Sequence, residues 1–244
     1  MFAPLAYFQA AAAGGGIAST HSWDRANTDW ASITDAAQTG LDQASPTFEG
    51  WFRFSVLPGS GAFTTIYSKW GSDRLWLLRL FNASGVYTPT MFGSTNGSAT
   101  SFKVEWTTAL SVDTWYHFAF SYDSTVQLDD AAKCYVNGST LGAPTVVTGS
   151  GSTTYALDTS STAPVEFGVS GSGNVDGYTD DFRLWDHVRS SGQINANKDT
   201  SLVGNESGLQ ALWKFDNDLL DSTANGNDLT DQGSAAFSAA VLPF

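Results

Sequence analysis

The 244-residue chain has few charged residues, and most of them are acidic. Lys and Arg together number 11 against 24 Asp and Glu, which gives a formal net charge of −13. A phosphate backbone would be repelled by this charge, so the sequence argues against nucleic-acid binding. The single cysteine, Cys134, excludes a disulfide within the chain and is expected to be a buried thiol. No apolar run approaches the roughly 18 residues of a membrane span.

The residues that most often support metal binding or hydrolysis are also scarce. The three histidines form no cluster of the kind that binds zinc, and His117, on an alternating strand, is expected to be structural. Glycosidases need two carboxyl groups about 5–9 Å apart. None of the four glutamates has a second acid two or four residues away on a convincing strand. The chain is therefore predicted not to be an enzyme, with a glycoside hydrolase as the outlying alternative.

Aromatic and turn-forming residues are abundant instead, with 16 Phe, 9 Trp, 8 Tyr and 24 Gly. In residues 47–56 Phe48, Phe52 and Phe54 alternate with Glu49 and Arg53, as on a half-buried strand. Similar segments separated by turns predict further strands at 63–70, 74–81, 86–92, 101–106, 113–122, 131–137, 140–149, 164–169, 178–186, 209–215 and 227–231. One short helix is predicted at 190–197, where Ser190 is a good N-cap.

Five segments carry a family resemblance by their order and spacing: 29–33 with 47–52, 113–123, 135–138, 176–189 and 213–228. The most informative is Asp-Gly-Tyr-Thr-Asp-Asp-Phe-Arg-Leu-Trp, starting at Asp176. Together they resemble laminin G-like domains of the concanavalin A-like type. The resemblance implies an all-β, antiparallel two-sheet jelly-roll sandwich, spanning residues 17–244 as one domain. It also implies that the fold serves binding more often than catalysis.

Two sites follow from the resemblance. Many laminin G-like domains hold calcium at a rim, and Asp73 and Asp158 match the two carboxylate positions, although aspartates in loops are also common turn-formers. Sugar binding would use aromatic platforms, whose alternative role is in the core. The candidate platforms at strand ends and loops are Trp70, Trp76, Tyr87, Trp106 and Tyr155.

Residues 1–16 are predicted to form a flexible or docking arm, since Phe2, Leu5, Tyr7 and Phe8 precede a glycine triplet. Such an arm would pack either on a partner or on its own domain. The expected function is a non-catalytic, glycan-binding module displayed on a virion surface or outside the cell, as a capsid decoration or tail component of a phage. Its partner would be a glycan or a neighbouring structural protein, and homo-oligomers or particle assembly are compatible with it. The alternative is a purely structural protein of the particle without sugar binding.

Overall fold

The computed structural model describes residues 17, 19–26, 28–168, 173–239 and 242. The predicted arm, residues 1–16, lies outside them. The described residues form two antiparallel sheets of eight strands each. This architecture confirms the prediction of an all-β jelly-roll sandwich.

The first sheet consists of β1 (Ser22–Arg25), β3 (Thr47–Val56), β8 (Trp115–Tyr122), β9 (Ala132–Val136), β10 (Ser139–Thr140), β13 (Asp176–Trp185), β14 (Leu209–Trp213) and β16 (Ala236–Ser238). Their order is β10-β9-β8-β3-β13-β1-β16, and β14 pairs with the C-terminal half of β13.

The second sheet consists of β2 (Ala31–Ile33), β4 (Phe63–Trp70), β5 (Arg74–Ala83), β6 (Val86–Gly97), β7 (Phe102–Glu105), β11 (Thr145–Thr148), β12 (Val165–Phe167) and β15 (Thr230–Asp231). Their order is β11-β7-β6-β5-β4-β12-β2-β15.

The core lies between the sheets and consists largely of aromatic rings. Phe48, Phe52 and Phe54 of β3 point into it, as their alternation predicts. Between them, Gly50 leaves space for a side chain of the neighbouring strand β13, because a Cβ atom there would lie 2.8 Å from the Phe182 ring.

Two short α-helices lie outside the sheets. Helix α2 (Ser191–Asn197) confirms the predicted helix, and Ser190 forms a capping box with Gln193. Helix α1 (Leu128–Ala131) was not predicted, and a 3₁₀ turn covers Asp35–Ala37. Among the described residues no helix is long and apolar enough to cross a membrane.

The predicted strand at 140–149 is wrong, because the segment divides between the two sheets. Its start belongs to β10 of the first sheet and its end is β11 of the second. Gly142 has φ of +85°, and Pro144 has no N–H to donate to a ladder. The chain therefore turns here and crosses from one sheet to the other.

Candidate functional site

Strand β5 turns one row of side chains into the core and the other out of the sandwich. Leu78 and Leu80 are fully buried between the sheets, whereas Arg79 and Phe81 are half-buried on the outer face. This alternation follows from the period of two along a strand. The outer face of the second sheet is thus not uniformly polar, because it carries large rings and cations.

We call the outer surface of strands β4 to β7 the aromatic–basic face. Its members are half-buried and contact one another across the strands: Phe63, Trp70, Arg74, Arg79, Phe81, Phe92 and Lys103. Register creates these neighbours, since Phe63 lies opposite Phe81 and Phe92 lies opposite Lys103. Five of these residues, Phe63, Arg79, Phe81, Phe92 and Lys103, line a hollow of about 180 Å³ together with Thr90.

Cations and rings alternate in this face. The guanidinium carbon of Arg79 lies 3.8 Å from the centroid of the Phe63 ring and 5.8 Å from that of Phe92. The Lys103 ammonium lies 5.6 Å from the Phe92 centroid, on the other flank of the same ring. At the end of the face Arg74 lies 5.4 Å from the Trp70 centroid. Such contacts hold the cations against apolar surface and leave their outer N–H groups available.

Two glutamates lie toward the edges of this outer surface. Glu105 of β7 pairs with Lys103 at 3.3 Å. Glu166 of β12 is half-buried, and burial raises the pKa of its carboxyl. Because β6, β5 and β4 lie between them, the two carboxyl groups stand four strand spacings apart, which is roughly 19 Å.

The five predicted sugar-binding aromatics are scattered through the structure. Trp70 belongs to the aromatic–basic face, with its ring 5.9 Å from that of Phe92. Tyr87 lies apart, half-buried beside a shallow surface hollow formed with residues 107–110. Tyr155 holds a loop, since its hydroxyl accepts a hydrogen bond from Ser150 N at 2.9 Å and its ring packs on Phe102.

Trp76 and Trp106 are wrong as sugar platforms, because both rings are in the core. Trp76 is fully buried and donates from Nε1 to the Gln43 carbonyl at 3.0 Å. A bulge between Arg74 and Trp76 shifts the alternation of side chains along β5. The two side chains therefore lie on opposite faces of the sheet although the residues are two positions apart. Trp106 is 3% exposed and packs against Phe120.

The structure brings Asp73 and Asp158 together beside Gly97. A Cβ atom at Gly97 would collide with Asp73 Oδ1 and lie 3.0 Å from Asp158 Oδ2, so both oxygens border one position. Thr162 donates to Asp73 Oδ2 from its backbone N (2.6 Å) and its hydroxyl (3.0 Å), and these bonds lower the pKa of Asp73. No group of three or more His, Cys, Asp or Glu suited to a metal occurs among the described residues.

A buried charge cluster lies on the other sheet, beneath α2. Glu49 accepts hydrogen bonds from Arg189 (2.6 Å) and from the Trp185 indole (2.8 Å). His117 lies 3.7 Å from Glu49, and burial with the neighbouring cations holds its pKa well below the usual range. The cluster is closed to ligands by its burial, which agrees with a structural His117.

Sequence reasoning missed Phe63, Arg79, Phe81, Phe92 and Lys103. A signal for part of the set exists. Ser84 and Gly85 both have positive φ, as in the two-residue hairpin turns that fix strand register. When the strand pairing is counted back from that turn, Arg79 lies opposite Thr90, as the structure shows. Phe92, two residues further along β6, then lies diagonally across from Arg79.

Comparison with known proteins supports the same architecture. The family model described as the concanavalin A-like lectin/glucanases superfamily matches residues 25–195. The chain belongs to this superfamily. No curated protein sequence matches it.

Solved structures with this fold come from varied sources. A Bacteroides ovatus protein to which carbohydrate binding has been assigned is 18% identical, with a TM-score of 0.64 over 90% of this chain and 60% of its own. A heptameric pentraxin of Limulus polyphemus is 11% identical, with a TM-score of 0.52 over 92% and 91%. Tailspike protein 2 of the Escherichia coli O157:H7 bacteriophage CAB120 is 12% identical, with a TM-score of 0.55 over 80% and 26%. The chain thus spans only part of the first and third of these proteins, and at such identities the likeness concerns the fold.

Proposed function

We propose that this superfamily member is a non-catalytic glycan-binding module and that the aromatic–basic face is its binding surface. The observation that carries the proposal is a group of three half-buried aromatic rings that line one hollow, Phe63, Phe81 and Phe92. A fourth half-buried ring, Trp70, adjoins them, with its centroid 5.9 Å from that of Phe92. Sugar rings stack their C–H faces on such rings, while nearby polar groups reach the hydroxyls. The lectin-like fold supports the proposal without identifying the sugar.

The positions of the acids support binding rather than hydrolysis. A glycosidase needs its two carboxyl groups about 5–9.5 Å apart. Glu105 and Glu166 are roughly 19 Å apart by strand spacing, and Glu105 is already paired with Lys103. These two glutamates therefore cannot act as an acid and nucleophile on one glycosidic bond.

We further propose that Asp73 and Asp158 hold a calcium ion at the rim of this face. Both supply carboxylate oxygens, which calcium prefers, and Asp73 Oδ1 and Asp158 Oδ2 border the same position. Asp73 directly precedes Arg74, so the ion would lie beside the face. When bound, calcium would neutralise the two carboxylates and hold the 158–162 loop against the start of β5.

A place on a virion, as a capsid decoration or tail component, is also a proposal. This place on a virion is supported by the presence of the fold in a phage tailspike protein and by the single cysteine of the chain. The alternative, a structural particle protein without sugar binding, predicts that the chain copurifies with particles and binds no glycan. Fractionation of particles, run beside a glycan array, separates the two.

The test of the glycan-binding proposal is a glycan array probed with the natural protein, Phe92→Ala and Phe237→Ala. Phe237 is the matched control, since it is another half-buried phenylalanine but lies in β16 of the other sheet. Loss of a stacking ring should weaken binding roughly tenfold in Phe92→Ala and leave it unchanged in Phe237→Ala. If no glycan binds, or if both variants behave alike, the aromatic–basic face is not a glycan site.

A further inference from the structure

Most cations in this acidic chain are already neutralised. Of the 11 Lys and Arg residues, those in ion pairs are Arg53, Lys69, Lys103, Arg183, Arg189 and Lys198. Among the described residues the other five have no carboxylate within ion-pair distance: Arg25, Arg74, Arg79, Lys133 and Lys214. Of these, Arg74 and Arg79 belong to the aromatic–basic face. In a protein of net charge −13, two unneutralised arginines on one face need an explanation.

Arg79 has the features of an anion-binding group. Its guanidinium lies over the Phe63 ring at 3.8 Å, which fixes its plane. Its Nε is buried and has no hydrogen-bond partner within the described ranges. Burial lowers the pKa of Arg79, and no neighbouring carboxylate counters that effect. A planar guanidinium offers two parallel N–H donors to an anionic group, and such paired bonds are among the stronger ones in proteins.

The surroundings of Arg79 favour a small anion attached to a ring. The hollow is lined by Arg79 and Lys103 together with Phe63, Phe81, Phe92 and Thr90, and carries no carboxylate of its own. Glu105 holds Lys103 from outside the hollow, at 3.3 Å. The charge left over in the hollow is therefore that of Arg79, directly beside the ring faces of Phe63 and Phe92.

We propose that the glycan bound by this face is acidic, with a carboxylate or sulfate on a sugar ring, and that Arg79 is the residue that selects it. The inference rests on the proposed glycan-binding function of the same face. A long polyanion fits less well, because the remaining charge of the protein would repel it. One anionic group stacked beside aromatic rings matches both the charge and the shape of the hollow.

The experiment compares matched ligands and matched variants by calorimetric titration. The ligands are trigalacturonate with its methyl ester, and a sulfated galactose disaccharide, which has no carboxylate, with its desulfated form. The variants are Arg79→Gln, Arg79→Lys and the control Lys133→Gln, which removes one positive charge from β9 of the other sheet. Arg79→Gln should lose roughly tenfold to a hundredfold in affinity for the acidic member of the pair. Arg79→Lys should retain part of the affinity, and Lys133→Gln should match the natural protein.

The outcomes separate the two proposals. Preference for one acidic ligand over its neutral partner, lost in Arg79→Gln, supports the inference, and the pair that responds distinguishes carboxylate from sulfate. Equal binding of acidic and neutral partners that Phe92→Ala abolishes and Arg79→Gln does not would overturn the acidic specificity and leave glycan binding intact. Absence of binding to these ligands and to the array would overturn both.

Discussion

Replacement of Asp180 by Asn is expected to stabilise the protein at neutral and alkaline pH. The carboxyl lies in β13 and is fully buried, and its Oδ2 accepts hydrogen bonds from the hydroxyls of Ser19 (2.7 Å) and Ser22 (2.8 Å). Its Oδ1 has no hydrogen-bond partner among the described residues. Burial raises the pKa of Asp180 to about 8, and the two serine hydrogen bonds only partly oppose that effect.

The magnitude follows from the difference between folded and unfolded pKa values. An aspartate in the unfolded chain has a pKa of about 3.9, and each unit of difference corresponds to about 1.4 kcal/mol. Because the folded pKa is raised, the stability that the protonated carboxyl contributes is complete below pH ~4 and is lost as pH rises toward about 8. Asparagine keeps an oxygen acceptor and cannot ionise, so Asp180→Asn should be more stable by about 2–5 kcal/mol at pH ~8 and nearly equal at pH ~4.

The assay is urea unfolding of both proteins at several pH values between about 4 and 8, with the difference in unfolding free energy plotted against pH. Asp181→Asn is the contrasting variant, since Asp181 accepts two hydrogen bonds from Arg183, at 3.0 and 2.6 Å. It should be destabilised by about 3 kcal/mol, because the buried Arg183 guanidinium loses its closest counter-charge and keeps only Glu49, at 3.7 Å. A stability difference between Asp180→Asn and the natural protein that does not vary with pH would mean that Asp180 is ionised in the fold, and the reasoning would be refuted.

Three further outcomes are expected. Calcium is added to chelator-treated protein at about a hundredfold excess over its dissociation constant, and it should raise Tm by several degrees. Asp73→Asn should abolish this shift, and an equal Tm with and without calcium contradicts the rim site. Trp76→Phe should cost roughly 1–3 kcal/mol in chemical denaturation, because the Gln43 carbonyl loses its donor, and should leave glycan affinity unchanged; loss of affinity without loss of stability would restore Trp76 as a platform. Ser190→Ala should cost about 1 kcal/mol, since it removes the cap of α2, and unchanged stability would show that packing alone holds that helix.

The fold was largely predictable because its signals are local. The alternation of Phe48, Phe52 and Phe54 defines the inner face of β3 without any knowledge of the neighbouring strands. The Ser190 cap likewise needs only four consecutive residues to be recognised. The failure at 140–149 was of another kind, since the composition favoured a strand but the two ends of the segment joined different sheets. Pro144 was the available warning.

The face of the sheet on which each aromatic side chain lies depends on β-bulges, and the sequence gives no clear signal for them. Arg74 and Trp76 are two residues apart, so simple alternation puts both on one face. The bulge between them sends Arg74 outward and Trp76 into the core. Trp115 lies on the opposite face from Phe118 for a simpler reason, since the two are an odd number of residues apart on one strand, and it packs near Trp51.

The binding surface depended on relations that no single segment contains. Its residues come from four strands, and Phe92 becomes a neighbour of Lys103 only through the register of β6 with β7. The significance of Arg79 depends on a still wider comparison. A lone arginine on an alternating strand is ordinarily a solvated residue or half of an ion pair. Six cations pair with carboxylates such as Asp113, Asp35 and Glu105. Arg79 differs from them because it is half-buried beside aromatic rings and has no carboxylate within ion-pair distance among the described residues. That absence of a partner in the part of the chain that the structure describes is the reason for seeking one in the ligand.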